Sequence, residues 1–346
     1  MLKFISSKLS FHLLSIALLL SFSACQKDQI ANDLTPTVNG AEGITSDRAA
    51  NTIVDVAIGN PDFSSLVAAV VKTGQAGLLS GANLNATVFA PTNAAFAQLP
   101  APFNNAQNIS AITDPRTIAT LRQVIRYHVA LGRRTAAQLS NGSYQTYKTA
   151  AVPNENWLTV GRSVAGEVFI NGVSKVVAAD VAASNGVIHV IDKVLFFPTQ
   201  DIAQIAIANG NFKALVAALQ KTGLVNTLMS SQTNVTVFAP TDAAFAKLPI
   251  PALTTAANIK AITDPATISL LRNVLLYHLV GGRVFSTDLR EGIKPPTLLA
   301  TKNVTISLAN GATVKGSGNT TASNIIITNI LARNGVIHAI DQVLLP

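Results

Sequence analysis

Apolar residues recur at helical spacing in two stretches of this chain that begin 149 residues apart. In PDFSSLVAAVVKTG, residues 61–74, they occupy positions i, i+3, i+4, i+7 and i+8, the spacing of one buried helical face. Gly74 follows as a natural C-terminal stop, and Gly223 stands at the same place in the second stretch. The apolar positions are Phe63, Leu66, Val67, Val70 and Val71 in the first stretch and Phe212, Leu215, Val216 and Leu219 in the second. The pattern predicts an amphipathic helix in each stretch.

A second helix and several strands follow from the same kind of pattern. DPRTIATLRQVIRYHV begins with Asp114, which can cap a helix, and Pro115, whose missing N–H costs nothing in the first turn. TVFA and GVIHVIDKVLFF are rich in β-branched and aromatic residues, which is typical of strands. Asn171-Gly172 predicts a hairpin turn.

Three sequence blocks occur twice, in the same order and at the same spacing. TVFAPTNAAFAQLP (87–100) returns at 236–249 with 12 of 14 positions identical. The block 111–133 returns at 261–283 with 14 of 23 identical, and 185–195 returns at 334–344 with 9 of 11 identical. A period near 150 is too long for a solenoid repeat, which runs at about 20–50 residues. We therefore predict two tandem domains, a first copy at 47–198 and a second copy at 199–346, divided near Pro198.

The first repeated block predicts a joint between a strand and a helix. Asn93, or Asp242 in the second copy, precedes an apolar helical stretch and can serve as its N-cap. Thr92 and Thr241 can cap one residue earlier. A cap tolerates exchange of Asn for Asp, whereas a general base or metal ligand would lose its charge. The block is therefore interpreted as structural.

Four histidines lie in the repeated blocks, each beside apolar residues. His189 and Asp192 are three apart in a predicted strand, as are His338 and Asp341, so each pair should face opposite sides of its sheet. They cannot converge locally on a metal ion, and we treat them as structural. His128 and His278 fall on the inner helical face, whereas Tyr127, about 100° away, should point outward. Tyr277 should do the same.

The N-terminus resembles a bacterial lipoprotein signal peptide. Lys3 and Lys8 precede the short apolar run FHLLSIALLL, and SFSAC ends at Cys25, the single cysteine of the chain. The resemblance implies cleavage before Cys25 and its lipidation. QKD follows, similar to the export tag of surface lipoproteins in the Bacteroidetes group. We predict a signal peptide at 1–25, a flexible tether at 26–46 and an outer-membrane or cell-surface lipoprotein attached to the membrane by its lipid alone.

Composition narrows the possible chemistry. One cysteine excludes a disulfide framework and a cysteine-built metal site. The net charge of +8 comes from scattered lysines and arginines, which predicts a solvated surface and no nucleic-acid partner. The chain contains no sequence motif of a hydrolase, metalloprotease or nucleotide-binding enzyme, and the glycine-rich stretch 310–321 is predicted to form hairpin loops. We predict a protein that is not an enzyme and that has no cofactor.

Together, the repeated blocks resemble the fasciclin (FAS1) domain. TVFAPTxAAF, a Tyr-His pair about 35 residues later and NGVIHxIDxVL appear in that order in both copies, and the resemblance covers roughly residues 48–346. It implies an α+β fold, in which a β-wedge or sandwich of about seven strands packs against several helices. It also implies adhesion at a cell surface or in a matrix. In animal members the Tyr-His region has been linked to integrin recognition, which makes Tyr127, His128, Tyr277 and His278 candidate partner-binding residues.

Two functions remain open on the sequence. The first is a lipid-anchored adhesion or interaction protein with two fasciclin domains, whose partner is a surface protein or a glycan. The alternative is a glycan-binding accessory lipoprotein, which would need an aromatic platform. Tyr144, Tyr147 and Trp157 fall in one stretch of the first copy without counterparts in the second, and they form the secondary candidate site.

Replacing Cys25 tests the anchor. We expect Cys25→Ser to move the protein from the membrane fraction to the soluble fraction, because stable anchoring needs more than one acyl chain and the serine cannot carry them. Fractionation followed by immunoblotting measures the change. Membrane association equal to that of the unaltered protein would exclude the lipoprotein interpretation.

Overall fold

The computed structural model describes residues 51–149 and 156–346. The predicted signal peptide with Cys25 and the predicted tether at 26–46 lie outside the described residues. The described part of both copies belongs to one compact unit.

The described residues of the first copy form six helices and seven strands. Its helices are α1 (Ile53–Ile58), α2 (Ser64–Lys72), α3 (Ala76–Ser80), α4 (Asn93–Ala97), α5 (Ala106–Ser110) and α6 (Pro115–Tyr127). Its strands are β1 (Ala86–Pro91), β2 (Val129–Leu131), β3 (Gly142–Gln145), β4 (Trp157–Arg162), β5 (Val168–Ile170), β6 (Ser174–Ala183) and β7 (Gly186–Ile191). A short 3₁₀ turn, Pro61–Phe63, leads into α2.

The second copy repeats this order with one strand fewer among its described elements. Its helices are α7 (Ile202–Ala208), α8 (Lys213–Lys221), α9 (Val225–Met229), α10 (Asp242–Ala246), α11 (Ala256–Ala261) and α12 (Pro265–Tyr277). Its strands are β8 (Val235–Pro240), β9 (Leu279–Gly281), β10 (Thr305–Ser307), β11 (Thr313–Lys315), β12 (Ser323–Ala332) and β13 (Gly335–Ile340). Two 3₁₀ turns, Pro251–Leu253 and Ser286–Asp288, complete it. Strand β11 lies inside the stretch 310–321, which the sequence predicted to be loop.

Each copy curls one sheet around a core of its own. The strand order is β2-β1-β7-β6-β5-β4-β3 in the first copy and β10-β11-β12-β13-β8-β9 in the second. All neighbours are antiparallel except β1 with β7 and β8 with β13, which are parallel. An antiparallel bridge between Ala130 and Thr146 connects the two ends of the first sheet. The fold is therefore α+β, as the fasciclin resemblance implies, and each copy has helices and a nearly closed sheet, of seven strands in the first copy and six in the second.

Each copy has two hydrophobic cores. One lies between the helices and the outer face of the sheet, and the other lies inside the curl. In the first copy Val88 belongs to the helix-side core and its neighbour Phe89 to the core inside the curl. Neighbouring residues of one strand point to opposite faces, so β1 is buried on both sides.

The structure confirms the predicted start of α6, the predicted end of α2 and the predicted hairpin turn. Asp114 caps α6 by accepting hydrogen bonds from the backbone N–H groups of Arg116 and Thr117, and Pro115 occupies the first helical position. Gly74 has a φ of +65°, a conformation that suits glycine beyond a helix end. β5 and β6 form the predicted hairpin around Asn171 and Gly172, both of which have positive φ.

Threonine, rather than Asn93 or Asp242, caps the helix of the repeated joint. The Thr92 hydroxyl accepts from the Ala95 N–H at 3.2 Å, and the Thr241 hydroxyl accepts from the Ala244 N–H at the same distance. The prediction that Asn93 and Asp242 cap this helix is therefore wrong. The threonines have the extended backbone of an N-cap, which places the next residue inside the helix.

Asn93 and Asp242 cap a different helix. Asn93 Oδ1 accepts from the Ser65 N–H of α2 at 2.9 Å, and Asp242 Oδ1 accepts from the Ala214 N–H of α8 at 2.7 Å. The N-cap residues of α2 and α8 are phenylalanines, which provide no side-chain acceptor. Either Asn or Asp provides the oxygen, so the exchange between copies leaves the bond intact.

Removing this remote cap should weaken the first copy. We expect Asn93→Ala to lower its free energy of unfolding by about 1 kcal/mol, the usual effect of losing a helix cap. Asn93→Asp, which copies the second domain, should retain most of the stability because the oxygen remains. Urea titration measures the loss, and amide exchange at Ser65 should accelerate only in the alanine variant. Equal stability of the alanine variant and the unaltered protein would refute the assignment.

Candidate functional site

Both predicted Tyr-His pairs lie where a long helix enters a short strand. Tyr127 is the last residue of α6 and His128 is its C-cap, immediately before β2. Tyr277 and His278 occupy the same places at the end of α12. All four side chains are buried, with 0–2% of their surface exposed.

The prediction that Tyr127 and Tyr277 point outward is therefore wrong. Tyr127 packs inside the curl of the sheet with Phe89 and Leu158, and Tyr277 packs in the equivalent core with Phe238. Helical periodicity assumes one buried face, but the last residue of this helix reaches a second core. Since the four side chains lie in the interior, a partner at the surface of the folded domain does not reach them.

The two histidines after the helices connect distant segments. His128 Nδ1 lies 2.7 Å from the Val124 carbonyl oxygen, and the Leu195 N–H donates to His128 Nε2 at 2.9 Å. His278 makes the same bonds with the Val274 carbonyl and the Leu344 N–H. Because a backbone N–H can only donate, Nε2 is the acceptor and Nδ1 carries the proton. Each neutral ring thus connects the long helix to the segment after the last strand.

The two tyrosines connect the same helix ends to the far side of the sheet. The Tyr127 hydroxyl donates to the Trp157 carbonyl at 2.9 Å and accepts from the Asn171 side-chain amide at 3.0 Å. The Tyr277 hydroxyl donates to the Asn303 carbonyl at 2.6 Å and accepts from the Ser317 N–H at 2.9 Å. Burial raises the pKa of Tyr127 to about 12, so the phenol is protonated and available as a donor.

His189 and His338 each accept a hydrogen bond from a bulge residue in the neighbouring long strand, β6 or β12. His189 Nε2 donates to the Arg134 carbonyl at 2.9 Å, while its Nδ1 accepts from the Asp180 N–H at 3.3 Å. His338 bonds the Val284 carbonyl and the Asn329 N–H in the same way. Asp180 and Asn329 both have a φ of +60° at a register shift. These rings carry the proton on Nε2, the tautomer opposite to that of His128.

The aspartates of the last repeated block act apart from these histidines. Asp192 Oδ1 accepts from the Lys175 N–H at 2.8 Å, and Asp341 Oδ1 accepts from the Asn324 N–H at 2.8 Å. The pairs His189/Asp192 and His338/Asp341 therefore have separate partners, as their spacing predicts. Among residues 51–149 and 156–346, no three His, Cys, Asp or Glu side chains come together as metal ligands.

Tyr144, Tyr147 and Trp157 do not share one surface. Trp157 lies opposite Gln145 across the β3–β4 pair, whereas Tyr144 lies opposite Leu158, so Trp157 and Tyr144 face opposite sides of the sheet. Tyr144 packs against the core inside the curl, and its hydroxyl donates to the Ser140 carbonyl. Tyr147 packs against the helix-side core. All three residues are half-buried, and they do not form the predicted aromatic site.

The contact between the two copies was not predicted from the sequence. Residues 285–290 of the second copy, here called the docking segment, pack against β4 and the β5–β6 turn of the first copy. Phe285 is fully buried, and a Cβ at Gly172 would lie 2.5 Å from its ring. Arg290 Nη2 donates to the Arg162 carbonyl at 2.8 Å, and Asn329 Nδ2 donates to the Gly172 carbonyl at 2.8 Å.

A difference between the copies provided a signal for this contact. The docking segment has the sequence FSTDLR, whereas the first copy has TAAQLS at the corresponding positions, 135–140. The bulge residue is Asn329 in the second copy and Asp180 in the first. Only the asparagine can donate to the Gly172 carbonyl, since an ionised aspartate only accepts. The sequences of the two copies differ almost directly after the Gly-Arg pair that they share. The common fold therefore does not require the docking sequence.

The family model of the fasciclin domain matches residues 61–198 and 210–346. The chain belongs to the fasciclin domain family. The two matches contain the helix–strand joint, the Tyr-His pair and the final strand of each copy. The hydrogen bonds by which the tyrosines and histidines connect distant segments therefore occur twice, once in each fasciclin domain.

Relatives are found in animals and bacteria. The chain is 31% identical over 262 residues to transforming growth factor-beta-induced protein ig-h3 of Oryctolagus cuniculus, an alignment of 75% of this chain but 34% of that protein. The chain thus spans about a third of the length of this relative. Protein sll1483 of Synechocystis sp. is 39% identical over 173 residues, 47% of this chain and 88% of that protein.

A solved structure is also similar. It is a FAS1 domain pair from the insect cell adhesion molecule fasciclin I, with a TM-score of 0.39 and 20% identity over 83% of this chain and 98% of that chain. Within the described ranges of our protein, no helix is long and apolar enough to cross a membrane.

The buried histidines predict a loss of stability on mild acidification. Burial lowers the pKa of His128 and of His278 to about 4, from an ordinary value of 6.5, and also lowers the pKa of His189 and His338. Between these values the unfolded chain binds protons that the folded chain does not. The free energy of unfolding should therefore fall as the pH drops from about 6.5 towards 4, by up to about 3 kcal/mol for each of His128 and His278.

Urea titrations between pH 7.5 and pH 5 measure this slope before most carboxylates titrate. His278→Gln provides the comparison, because one titrating ring is removed and the slope should become shallower. A free energy of unfolding that stays constant over this range would contradict the assignment of neutral, buried rings.

Proposed function

We propose that this protein is a non-enzymatic adhesion or interaction protein of the cell surface that presents two fasciclin domains. The observation that carries the proposal is the family match over both copies. Asp192 and the histidines at 128, 189 and 278 are engaged in hydrogen bonds between segments of the fold, which favours a structural role for them over a catalytic one.

The anchor and location are part of this proposal. A basic start, a short apolar run and a single cysteine at position 25 support export and lipidation. A tether at 26–46 would then separate the two domains from the membrane. With the QKD sequence after Cys25, we place the protein at the outer membrane or cell surface.

The exposed faces of β6 and β12 are the best candidates for contact with a partner. Val177 on β6 is 54% exposed, and Ile326 on β12 is 51% exposed. The two positions correspond, because each follows a residue paired with the last isoleucine of the neighbouring strand, Ile191 or Ile340. An apolar β-branched residue thus faces solvent at the same place in both domains. Two weak sites on one chain can gain about 10²- to 10⁴-fold in apparent affinity where both engage together.

A glycan-binding accessory lipoprotein is the alternative. The positions of Tyr144 and Trp157 on opposite faces of the sheet count against an aromatic platform, the usual means of holding a sugar ring. The glycan-binding alternative is favoured instead by a cleft beside the docking segment, whose lining includes Arg283, Asp288 and Arg290. In either case the partner is a surface protein or a glycan.

Adhesion of variants with altered strand faces tests the first proposal. We expect Val177→Thr or Ile326→Thr to weaken adhesion strongly and the double variant to abolish it. Each domain should remain folded, because exposed substitutions usually change stability by less than about 0.5 kcal/mol. Threonine keeps the branched shape and removes the apolar contact. The Cys25→Ser form of each protein is applied to surfaces coated with fibronectin, collagen or alginate, with thermal melts alongside.

Val164→Thr is the matched control, because this valine is 74% exposed but lies outside β6 and β12. It should adhere as the unaltered protein does. Normal adhesion of the folded double variant would show that these strand faces are not the contact surface. Failure of the unaltered protein to bind any of the coated surfaces would count against the proposal for those partner classes.

A further inference from the structure

A cleft of about 370 Å³ opens between the two copies beside the docking segment. Charged side chains of the second copy, Arg283, Asp288 and Arg290, form one wall. The rest of the lining includes the neutral polar residues Asn141, Ser143 and Thr159 from the first copy and Asn234 from the second, together with Gly142, Val160 and Val284. Ligand pockets are commonly about 300–1,000 Å³ and occur preferentially at domain junctions, so size and place both suit a small ligand.

The three charged groups leave one positive charge on the cleft. Arg290 is held by three carbonyl oxygens, with Nη1 donating to Thr287 and Leu289 and Nη2 donating to Arg162 across the junction. It therefore forms a fixed part of the wall. Asp288 Oδ2 accepts from the Phe285 N–H at 2.9 Å, and its Oδ1 would lie 2.7 Å from a Cβ at Gly161. Asp288 is thus also committed to the junction.

Arg283 differs from Arg290 in having a buried donor without a hydrogen-bond partner. Its Nη2 donates to the Arg333 carbonyl, while its Nε is one of two buried side-chain polar atoms without a hydrogen-bond partner in the described part of the chain. The other is Thr287 Oγ1, in the docking segment. Burial lowers the pKa of Arg283, which reflects a guanidinium held out of water. A buried donor without a partner destabilises the fold, so this site needs an explanation.

Two of the three charges, Asp288 and Arg290, are specific to the second copy, whereas Arg283 corresponds to Arg133 of the first. The positions of Asp288 and Arg290 are occupied by Gln138 and Ser140 in the first copy, which are neutral. The common fasciclin fold therefore does not require these charges. Arg290 and Asp288 have contacts at the junction that account for them, but Arg283 keeps donor capacity that those contacts do not use.

We propose that this interdomain cleft binds an acidic saccharide, with the sugar carboxylate on the Arg283 guanidinium. A guanidinium matches a carboxylate in geometry and charge, and such charge-assisted bonds are stronger than neutral ones. The amides and hydroxyls of Asn141, Ser143, Thr159 and Asn234 can both donate and accept, which suits the hydroxyl groups of a sugar ring. The site is separate from the exposed strand faces and does not depend on the proposed adhesion.

Calorimetric titration of the Cys25→Ser protein with glucuronate and with glucose tests the proposal. We expect glucuronate to bind and glucose to bind at least tenfold more weakly, because it lacks the carboxylate. Arg283→Gln should weaken glucuronate binding at least tenfold. Ser143→Glu should do the same by placing a negative charge in the cleft. Ser143 is exposed and makes none of the docking contacts described above, so this variant leaves the junction intact.

Arg133→Gln is the matched control, because Arg133 is the corresponding arginine of the first copy and does not line the cleft. It should bind glucuronate as the unaltered protein does. Equal binding of glucose and glucuronate, unchanged binding in Ser143→Glu, or no binding at about 10 mM glucuronate would each overturn the proposal. Thermal melts separate lost binding from lost folding in Arg283→Gln, and Ser143→Glu decides the matter if that variant does not fold.

Discussion

The parallel pairing of β1 with β7, and of β8 with β13, is the constraint on which each domain depends. It places the first and last repeated blocks side by side, although about 100 residues separate them along the chain. Both strands are buried on two faces, so their sequences are almost continuously apolar. Everything between the two strands has to be arranged around this pair, with the helices on one face and the remaining strands curled around the other.

Histidine suits the places where this arrangement leaves backbone groups without ladder partners. In its neutral form the ring offers one donor and one acceptor at opposite ends, and it can carry the proton on either nitrogen. His128 and His278 use one tautomer to join a helix end to the C-terminal segment. His189 and His338 use the other to join a bulge to a loop. Stability therefore depends on these rings remaining uncharged.

Much of the fold could be predicted from the sequence, because its signals are local. The apolar stripe of α2, the Asp114-Pro115 start of α6 and the Asn171-Gly172 turn each depend on a few neighbouring residues. The positions of Tyr127 and Asn93 could not be predicted in the same way. The tyrosine reaches a second core, and the asparagine caps a helix 28 residues earlier in the chain. Both depend on how distant segments pack, which local spacing does not specify.

The contact between the copies has a direction. The docking segment belongs to the second copy, and the surface that receives it, with Gly161 and Gly172, belongs to the first. The second copy has Ser307 where the first has Gly161, as the matching Tyr127–Trp157 and Tyr277–Asn303 hydrogen bonds establish. A head-to-tail contact of this kind could in principle add further domains without end. In this protein neither copy can play both parts. The first copy has no counterpart of the docking segment sequence, and the second copy has the Ser307 side chain where Gly161 would be needed. The two domains are therefore not interchangeable at this junction, because the receiving surface is encoded in the sequence of the first copy and the docking segment in the sequence of the second.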